Sequence, residues 1–224
     1  MARAINRPWV KAWAAEYPSN DEEIKWAGGD IQGMIGSLRS RKGDNHMSEE
    51  TVTLLEMTSR DELTPARRPS ASLELEEIGL AAAAVLRGIY VRIGAPLSWT
   101  GRMGWSDGDW EEELAHPGVR AWIARVNGNI AGLAELDSQQ NGDVGIVVFG
   151  LVPEYIGKGL GGWFLSEVTQ LAWTVMTPAT RPTKRVWVQT SSDDHPHALP
   201  NYQRRGFRSY RVEHRPDGND NANE

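Results

Sequence analysis

The chain has 224 residues and no cysteine, and its 30 acidic residues outnumber its 24 basic residues, for a formal net charge of −6. The lack of cysteine excludes disulfides, thiolate nucleophiles and thiolate zinc sites, and the negative charge argues against a nucleic-acid partner. No apolar run of about 18 residues and no signal-peptide pattern is present, so we expect a cytoplasmic protein with no membrane partner. The length favours one domain with an appendage over two domains.

The first 46 residues differ in composition from those that follow. Their aromatic side chains are scattered among charges, and Gly28-Gly29 and the polar stretch 40–45 are typical of a linker. We expect an N-terminal extension over 1–46, either folded as short surface helices or partly disordered, a domain over 47–215, and a polar tail over 216–224. A further interpretation is that translation starts at Met47 and that 1–46 are not part of the native protein.

From residue 51 the hydrophobic periodicity alternates between strand and helix. It predicts strands at 51–57, 73–78, 119–126, 130–136, 143–152, 185–190 and 207–214, and helices at 79–93, 159–175 and near 198–204. A capping box at Ser106–Asp109 predicts one more helix start, and Asn127-Gly128 predicts a hairpin. A helix that crosses over between two strands makes them parallel. The order therefore predicts an α/β fold with a mixed, mostly antiparallel central sheet flanked by helices.

Residues 149–163 carry the strongest local signal for a ligand. Four glycines lie within the six positions 157–162, between a strand and an amphipathic helix. Free backbone N–H groups at a helix N-terminus form an anion site, and Lys158 adds positive charge. A turn without a ligand is the simpler alternative. A dinucleotide fingerprint is disfavoured because no acidic residue ends the next strand, and a Walker A loop is excluded because no Lys-Ser or Lys-Thr follows the glycines.

Two segments together resemble the GNAT superfamily of acyl-CoA-dependent N-acyltransferases. Residues 152–161 (Val-Pro-Glu-Tyr-Ile-Gly-Lys-Gly-Leu-Gly) are similar to the family's Arg/Gln-x-x-Gly-x-Gly/Ala pyrophosphate loop. Residues 195–207 (His-Pro-His-Ala-Leu-Pro-Asn-Tyr-Gln-Arg-Arg-Gly-Phe) are similar to its Asn-x-x-Ala…Tyr-x-Lys-x-Gly-Phe segment. The resemblance covers 72–214 and implies the GNAT fold, with a sheet splayed at the cofactor-binding strand pair, and acetyl-CoA as acyl donor. It does not account for 1–46.

The resemblance also implies roles for individual residues. Leu151 and Val152 are expected to offer backbone groups to the pantetheine arm, and the amides of 157–162 to hold the pyrophosphate. The expected cofactor-binding residues are Leu151, Val152, Ile156, Gly157, Lys158, Gly159, Leu160, Gly161, Gly162, His195 and Asn201. Ile156 and His195 replace the family's usual Arg or Gln and Asn.

Tyr202 is expected near the thioester sulfur, because the resemblance aligns it with the family's tyrosine. A phenol with a pKa near 10 can donate a proton to a departing thiolate at neutral pH. The alternative role for Tyr202 is a core aromatic that packs the last helix on the sheet.

The general base is harder to assign. Many relatives carry a glutamate in the strand before the loop, whereas the middle of 143–152 has no carboxylate. Glu135 on the preceding strand is the first candidate, Asp143 the second, and a chain of waters the third. Each carboxylate is also explained as a solvated or hydrogen-bonded strand residue. Asp193, Asp194, His195 and His197 lack further ligands, so no metal is expected.

The acceptor side is expected from the region 90–110, which supplies Tyr90, Trp99, Trp105 and Trp110. Aromatic faces favour aromatic or cationic guests, and the nearby carboxylates of 107–113 would attract a protonated amine. Packing between helices and sheet is the alternative role for these rings. The sequence thus predicts an N-acetyltransferase for a primary amine of a small molecule or peptide, and its GNAT likeness implies a homodimer. The alternative is a non-catalytic acyl-CoA-binding or protein-interaction module on the same fold.

Overall fold

The computed structural model describes residues 50–97, 99–176 and 181–215. The expectations for the N-terminal extension 1–46 and for the polar tail 216–224 fall outside these residues.

A seven-stranded sheet forms the centre of the fold, in the order β2-β3-β4-β5-β6-β1-β7. The strands are β1 (Glu50–Met57), β2 (Leu73–Ile78), β3 (Val119–Val126), β4 (Asn129–Ser138), β5 (Asp143–Leu151), β6 (Arg185–Ser191) and β7 (Arg208–Arg215). Neighbours pair antiparallel, except that β5 and β6 are parallel. The predicted mixed, mostly antiparallel sheet is confirmed.

Helices cover both faces of this sheet. They are α1 (Ala83–Gly94), α2 (Asp107–Ala115), α3 (Leu160–Thr174) and α4 (Ala198–Arg204). On one face α3 buries Phe164 and Val168, one turn apart, in a cluster that includes Leu55 of β1. On the other face α1 and α2 bury Ile89 and Trp110 in a second cluster. The sheet therefore has an apolar core on each side.

Local signals in the sequence agree with the structure at two turns. Asn127 and Gly128 join β3 to β4 with φ values of 50° and 80°, as a two-residue type I′ hairpin requires. At the start of α2 the Ser106 hydroxyl accepts a hydrogen bond from the Asp109 N–H, and the Asp109 carboxylate accepts one from the Ser106 N–H. Both predictions are confirmed.

The strand β1 lies far from its sequence neighbours. It pairs with β6 on one side and β7 on the other, so that Val52 is opposite both Ser191 and Glu213. Its side chains Val52, Leu55 and Met57 are buried. The last two strands of the described chain therefore depend on the first one, which the periodicity predicted as a strand without indicating its position.

One helical stretch among the described residues, Leu80–Leu97, has the length and apolar composition of a membrane span. Within the fold 50% of this stretch is buried, and Leu86, Ile89 and Ile93 belong to the core that packs on the sheet. Packing in the core accounts for its apolar character.

Candidate active site

The parallel strands β5 and β6 separate halfway along their length. Their pairing runs only from Asp143 opposite Arg185 to Ile146 opposite Val188. A bulge occurs at this point, because Glu135 of β4 faces Val148 whereas Leu136 faces Ile146. Beyond it the backbone groups of 147–151 that point towards β6 have no strand partner in the part of the chain that the structure describes. We call this gap the seam, and it confirms the splayed strand pair.

The seam opens into a cleft of about 1290 Å³. Ordinary small-molecule pockets measure roughly 300–1,000 Å³, so this cleft has room for an extended ligand together with a second molecule. The unpaired edge of β5 offers such a ligand hydrogen bonds of the kind a neighbouring strand would make.

The glycine end of the cleft is built from backbone. Gly157 and Gly159 have φ values of +78° and +74°, in the left-handed region that favours glycine. Gly159 is the N-cap of α3 and provides no side-chain cap, so the first amides of the helix are free to bind an anion. The Asn201 side chain donates a hydrogen bond to the Gly161 carbonyl at 3.2 Å and ties α4 to this turn.

The glycine end is also positively charged. Arg67, Arg204 and Arg205 line it, and Lys158 lies in a smaller depression beside it. The Nε of Arg205 is buried with no hydrogen-bond partner in the described part of the chain. Burial first, and then the adjacent charge of Arg204, lowers the pKa of Arg205. None of the described carboxylates pairs with Arg205, which favours a polyanionic ligand.

Tyr202 of α4 lines the cleft with only 5% of its surface exposed. Its ring packs against Phe149 and Phe207, with 6.2 Å between ring centres in each pair. Within residues 50–97, 99–176 and 181–215 its hydroxyl has no hydrogen-bond partner. Burial, and then the negative charge of Asp194, raises the pKa of Tyr202 well above its usual value near 10. The phenol therefore stays protonated at neutral pH and can act as a proton donor.

Beyond Tyr202 the cleft is aromatic and acidic. Asp194 follows β6, and its carboxylate accepts hydrogen bonds from the Trp99 indole N–H at 2.8 Å, the Thr190 hydroxyl at 2.8 Å and the Ser191 N–H at 2.9 Å. The Trp99 ring lies 5.3 Å from that of Tyr90, centre to centre. Asp193 also lines this part of the cleft. We call Tyr90, Trp99, Asp193 and Asp194 the aromatic end.

Comparison with models of known protein families identifies the family of this chain. The model of the Acetyltransferase (GNAT) family matches residues 92–207, which is slightly more than half of the chain. The chain belongs to the GNAT family. Members of this family use acetyl-CoA as acyl donor. No curated protein sequence matches the chain.

Solved structures share the GNAT fold at low sequence identity. A functionally unknown conserved protein from Staphylococcus epidermidis is 12% identical with a TM-score of 0.52, over 87% of this chain and 67% of that one. A GCN5-related N-acetyltransferase from Kribbella flavida is 18% identical with a TM-score of 0.50, over 78% of this chain and 60% of that one. An aminoglycoside acetyltransferase from an uncultured soil metagenomic sample is 16% identical with a TM-score of 0.50, over 63% and 95%. These likenesses support the fold alone.

Most of the predicted cofactor-binding residues line the GNAT cleft. They are Leu151, Ile156, Gly157, Gly159, Gly161, Gly162, His195 and Asn201. Lys158 lies in the adjacent depression, and Leu160 is buried in the core beneath α3. Val152 does not line this cleft, and its backbone groups are paired within the chain: its N–H donates to the Ala131 carbonyl at 3.0 Å and its carbonyl accepts from the Tyr155 N–H at 2.9 Å.

Neither candidate base is placed to take a proton from an acceptor. Glu135 is 1% exposed and accepts two hydrogen bonds from the Arg102 guanidinium, at 2.8 and 2.9 Å. Asp143 lies at the paired end of β5, away from the opening of the seam, and contacts Arg185 at 3.3 Å. Each carboxylate already pairs with a cation, which disfavours both Glu135 and Asp143 as the general base.

Trp105 and Trp110 surround the same arginine and do not line the cleft. The guanidinium carbon of Arg102 lies 4.6 Å from the Trp105 ring centre and 5.2 Å from that of Trp110. Burial lowers the pKa of Arg102, but the charge and hydrogen bonds of Glu135 together with the charges of Glu113 and Tyr90 outweigh it, and the pKa is raised. Of the four predicted acceptor-binding aromatics, only Tyr90 and Trp99 line the cleft. The other two hold a buried cation.

The sequence analysis missed Arg102 and Arg67, and it missed the place of Asp194 at the aromatic end. Glu135 inside an apolar strand required a buried cation, which was a signal for a partner such as Arg102. Asp194 follows a predicted strand of the parallel pair, and the carboxyl ends of such strands commonly carry binding groups. Arg67 gave no signal, since its segment, 58–72, reads as a loop that contains Pro65 and Pro69 and many polar residues.

Proposed function

We propose that this GNAT protein is an N-acetyltransferase that moves the acetyl group of acetyl-CoA directly to a primary amine of a small molecule or peptide. The observation that carries this proposal is the seam, which leads from the glycine end to the buried phenol of Tyr202. One end supplies anion-binding amides and cations, and the other supplies aromatic and acidic groups, so that two chemically different substrates can meet beside one proton donor.

The residues at the glycine end fit acetyl-CoA. Free amides at Gly159–Gly162 and the guanidinium of Arg205 suit a pyrophosphate. The unpaired edge of β5 over 147–151 suits the amide groups of a pantetheine arm. When bound, acetyl-CoA supplies a thioester whose carbonyl carbon is open to attack by an amine.

Tyr202 is assigned the role of general acid. As the amine nitrogen forms its bond to the thioester carbon, the carbon–sulfur bond breaks and Tyr202 gives its proton to the departing thiolate. The proton lost by the amine passes to water in the open cleft, and a proton from water restores the phenol. The position of Tyr202 supports this role, because its nearly buried side chain lines the cleft beside the seam and its hydroxyl has no hydrogen-bond partner among the described residues.

Asp194 is the carboxylate that we assign to binding of the acceptor. Its position beside Trp99, together with the charge of Asp193, supports a cationic amine as acceptor. A carboxylate attracts an ammonium group, and an indole face adds cation–π attraction. Three of the acidic residues in 107–113 have other partners and are not assigned to attracting the amine. Asp107 pairs with Arg87, Asp109 caps α2 and Glu113 pairs with Arg102.

The test is release of free thiol from acetyl-CoA in the presence of a panel of primary amines, measured with the full chain and with one that starts at Met47. The proposal expects thiol release that depends on both acetyl-CoA and amine. If acetyl-CoA binds and no amine causes thiol release, the catalytic function is contradicted.

A non-catalytic acyl-CoA-binding module is the second candidate. The observation that favours it is the absence of an uncommitted carboxylate on the described strands β4 and β5 beside the seam, where Glu135 is held by Arg102. This candidate expects binding of acetyl-CoA without turnover. If acetyl-CoA does not bind, both candidates fall.

A further inference from the structure

The loop between β1 and β2, residues 58–72, crosses over the start of α3. The Ala66 N–H donates to the Ser166 hydroxyl at 2.8 Å, and that hydroxyl donates to the Gly162 carbonyl at 2.8 Å. The Thr64 N–H donates to the Arg205 carbonyl at 3.0 Å. The loop is therefore tied to both elements that form the glycine end. The family match begins at residue 92 and does not include it.

Glycines in α3 and after α4 allow this loop to pack closely against both helices. A side chain at Gly206, whose φ is +100°, would collide with the Glu62 carbonyl. A Cβ atom at Gly162 would lie 3.1 Å from the Cβ of Ala66 and 2.6 Å from Nη1 of Arg205. The loop and the end of α4 thus meet directly over the first turn of α3, and residues next to Ala66 border the cleft.

Arg67 is the cation that this loop brings to the cleft. It lines both the main cleft and the depression that contains Lys158. It makes no ion pair or hydrogen bond with the residues that the structure describes. Its neighbour Arg68 is committed, since its Nη2 donates to the Leu73 carbonyl at 3.0 Å and its guanidinium lies 5.9 Å from the Trp163 ring centre. The charge of Arg67 is therefore available to a ligand.

The order of groups along coenzyme A indicates which one would reach Arg67. A pantetheine arm along the seam and a pyrophosphate on the α3 amides bring the ribose, with its 3′-phosphate, out beyond Gly159. The depression at that point is lined by Arg67, Lys158 and Gly159. A phosphate monoester carries up to two negative charges and binds arginine through paired hydrogen bonds.

We infer that the β1–β2 loop is a third wall of the cofactor site and that Arg67 binds the 3′-phosphate of coenzyme A. This inference rests on the proposed function. It makes a segment outside the family match part of the cofactor site.

The experiment measures the dissociation constants of coenzyme A and of dephospho-coenzyme A for the full chain by titration calorimetry. The variants are Arg67→Ala and, as matched control, Arg60→Ala, which removes the same charge from the same segment at a position that does not line the cleft. We expect Arg67→Ala to weaken binding of coenzyme A about 5- to 20-fold, as for a charged hydrogen bond that is partly exposed. Binding of dephospho-coenzyme A should stay unchanged, and Arg60→Ala should change neither.

Three results overturn the inference. Equal affinity of Arg67→Ala and the unchanged protein for coenzyme A shows that Arg67 makes no contact. If Arg67→Ala weakens the binding of coenzyme A and of dephospho-coenzyme A equally, Arg67 contacts the pyrophosphate or acts only through its long-range positive charge. If Arg60→Ala weakens coenzyme A binding as much as Arg67→Ala does, the effect comes from the loss of net positive charge and not from a contact of Arg67. If the unchanged protein binds neither ligand, the proposed function falls as well, whereas the first three results leave it intact.

Discussion

The two ends of the cleft are made of different parts of the chain. The glycine end consists mainly of backbone from one short segment, with Gly157 and Gly159 in conformations that glycine favours. The aromatic end consists of side chains from separate elements, joined by contacts such as that between Trp99 and Asp194, 95 positions apart. An anion can be held by amides that every residue has, whereas an acceptor is selected by side chains whose positions depend on the whole fold.

The contacts that stabilise each end also differ, being hydrogen bonds between turns at one end and a buried ion pair at the other. The glycine end is supported by hydrogen bonds between neighbouring turns, such as that from Asn201 to Gly161. Behind the aromatic end lies the buried pair of Arg102 and Glu135, enclosed by Trp105 and Trp110. A buried charge that loses its partner is costly, so the second arrangement should be the more sensitive to a single substitution.

The largest expected effect is on stability. Glu135→Gln removes the carboxylate that accepts two hydrogen bonds from the buried Arg102 guanidinium and leaves only the longer contact with Glu113 at 3.3 Å, which should lower the free energy of unfolding by about 3–5 kcal/mol. Urea unfolding followed by circular dichroism measures it. The control is Glu77→Gln, which breaks a pair with Arg120 whose side chains are both 47% exposed and should cost about 0–1 kcal/mol. Similar losses in the two variants would contradict a special role for the buried pair.

Tyr202→Phe should have the next largest effect, on turnover. Loss of a general acid lowers the rate by about 10- to 10³-fold, while the dissociation constant of acetyl-CoA should stay nearly normal because the ring remains. The hydroxyl has no partner among the described residues, so the unfolding free energy should change little. Turnover is measured by thiol release under saturating substrates. Unchanged turnover would remove Tyr202 from the mechanism.

Features that local sequence determines were predicted well. The Asn127-Gly128 hairpin, the capping box at Ser106 and the glycine loop each depend on residues within a few positions of one another. The strand β5 was predicted for the same reason, since its apolar run is continuous. What these features share is that the backbone conformation is set by the residues that adopt it.

Features that depend on tertiary packing were not predictable from pattern alone. The place of β1 between β6 and β7 joins residues more than 130 positions apart, such as Val52 and Ser191. Glu135 was interpreted as a base because its partner, Arg102, lies 33 positions away on a different element. A titratable residue and its counter-charge are recognisable from sequence only when both lie in one local motif.

Asp194→Asn should sharpen the assignment of the aromatic end. Loss of the carboxylate charge next to Trp99 should raise the KM for a cationic amine about 10-fold, as for a partly exposed hydrogen bond to a charged group, without changing acetyl-CoA binding. Steady-state kinetics with a monoamine and a diamine of similar size measure this change, and the KM for the diamine should rise more than that for the monoamine. Asp193→Asn, the adjacent carboxylate without a bond to Trp99, should have a smaller effect. Trp99→Phe keeps an aromatic ring but removes the indole N–H. If Trp99→Phe reproduces the full change, Asp194 acts by holding Trp99 and not by its charge.

The smallest expected effect tests the backbone origin of the glycine end. Gly159→Ala meets no atom within 4 Å, but the φ of +74° is unfavourable for alanine and should lower the free energy of unfolding by about 1–2 kcal/mol. Gly79→Ala is the matched control, since it also meets no atom within 4 Å and has no positive φ, and its stability should stay equal or rise by about 0.4–1 kcal/mol. If the loop binds its ligand through amides held by this conformation, Gly159→Ala should also weaken coenzyme A binding, whereas Gly79→Ala should not. Equal affinities in the two variants would mean that the side-chain cations, and not the amides of the loop, dominate binding at the glycine end.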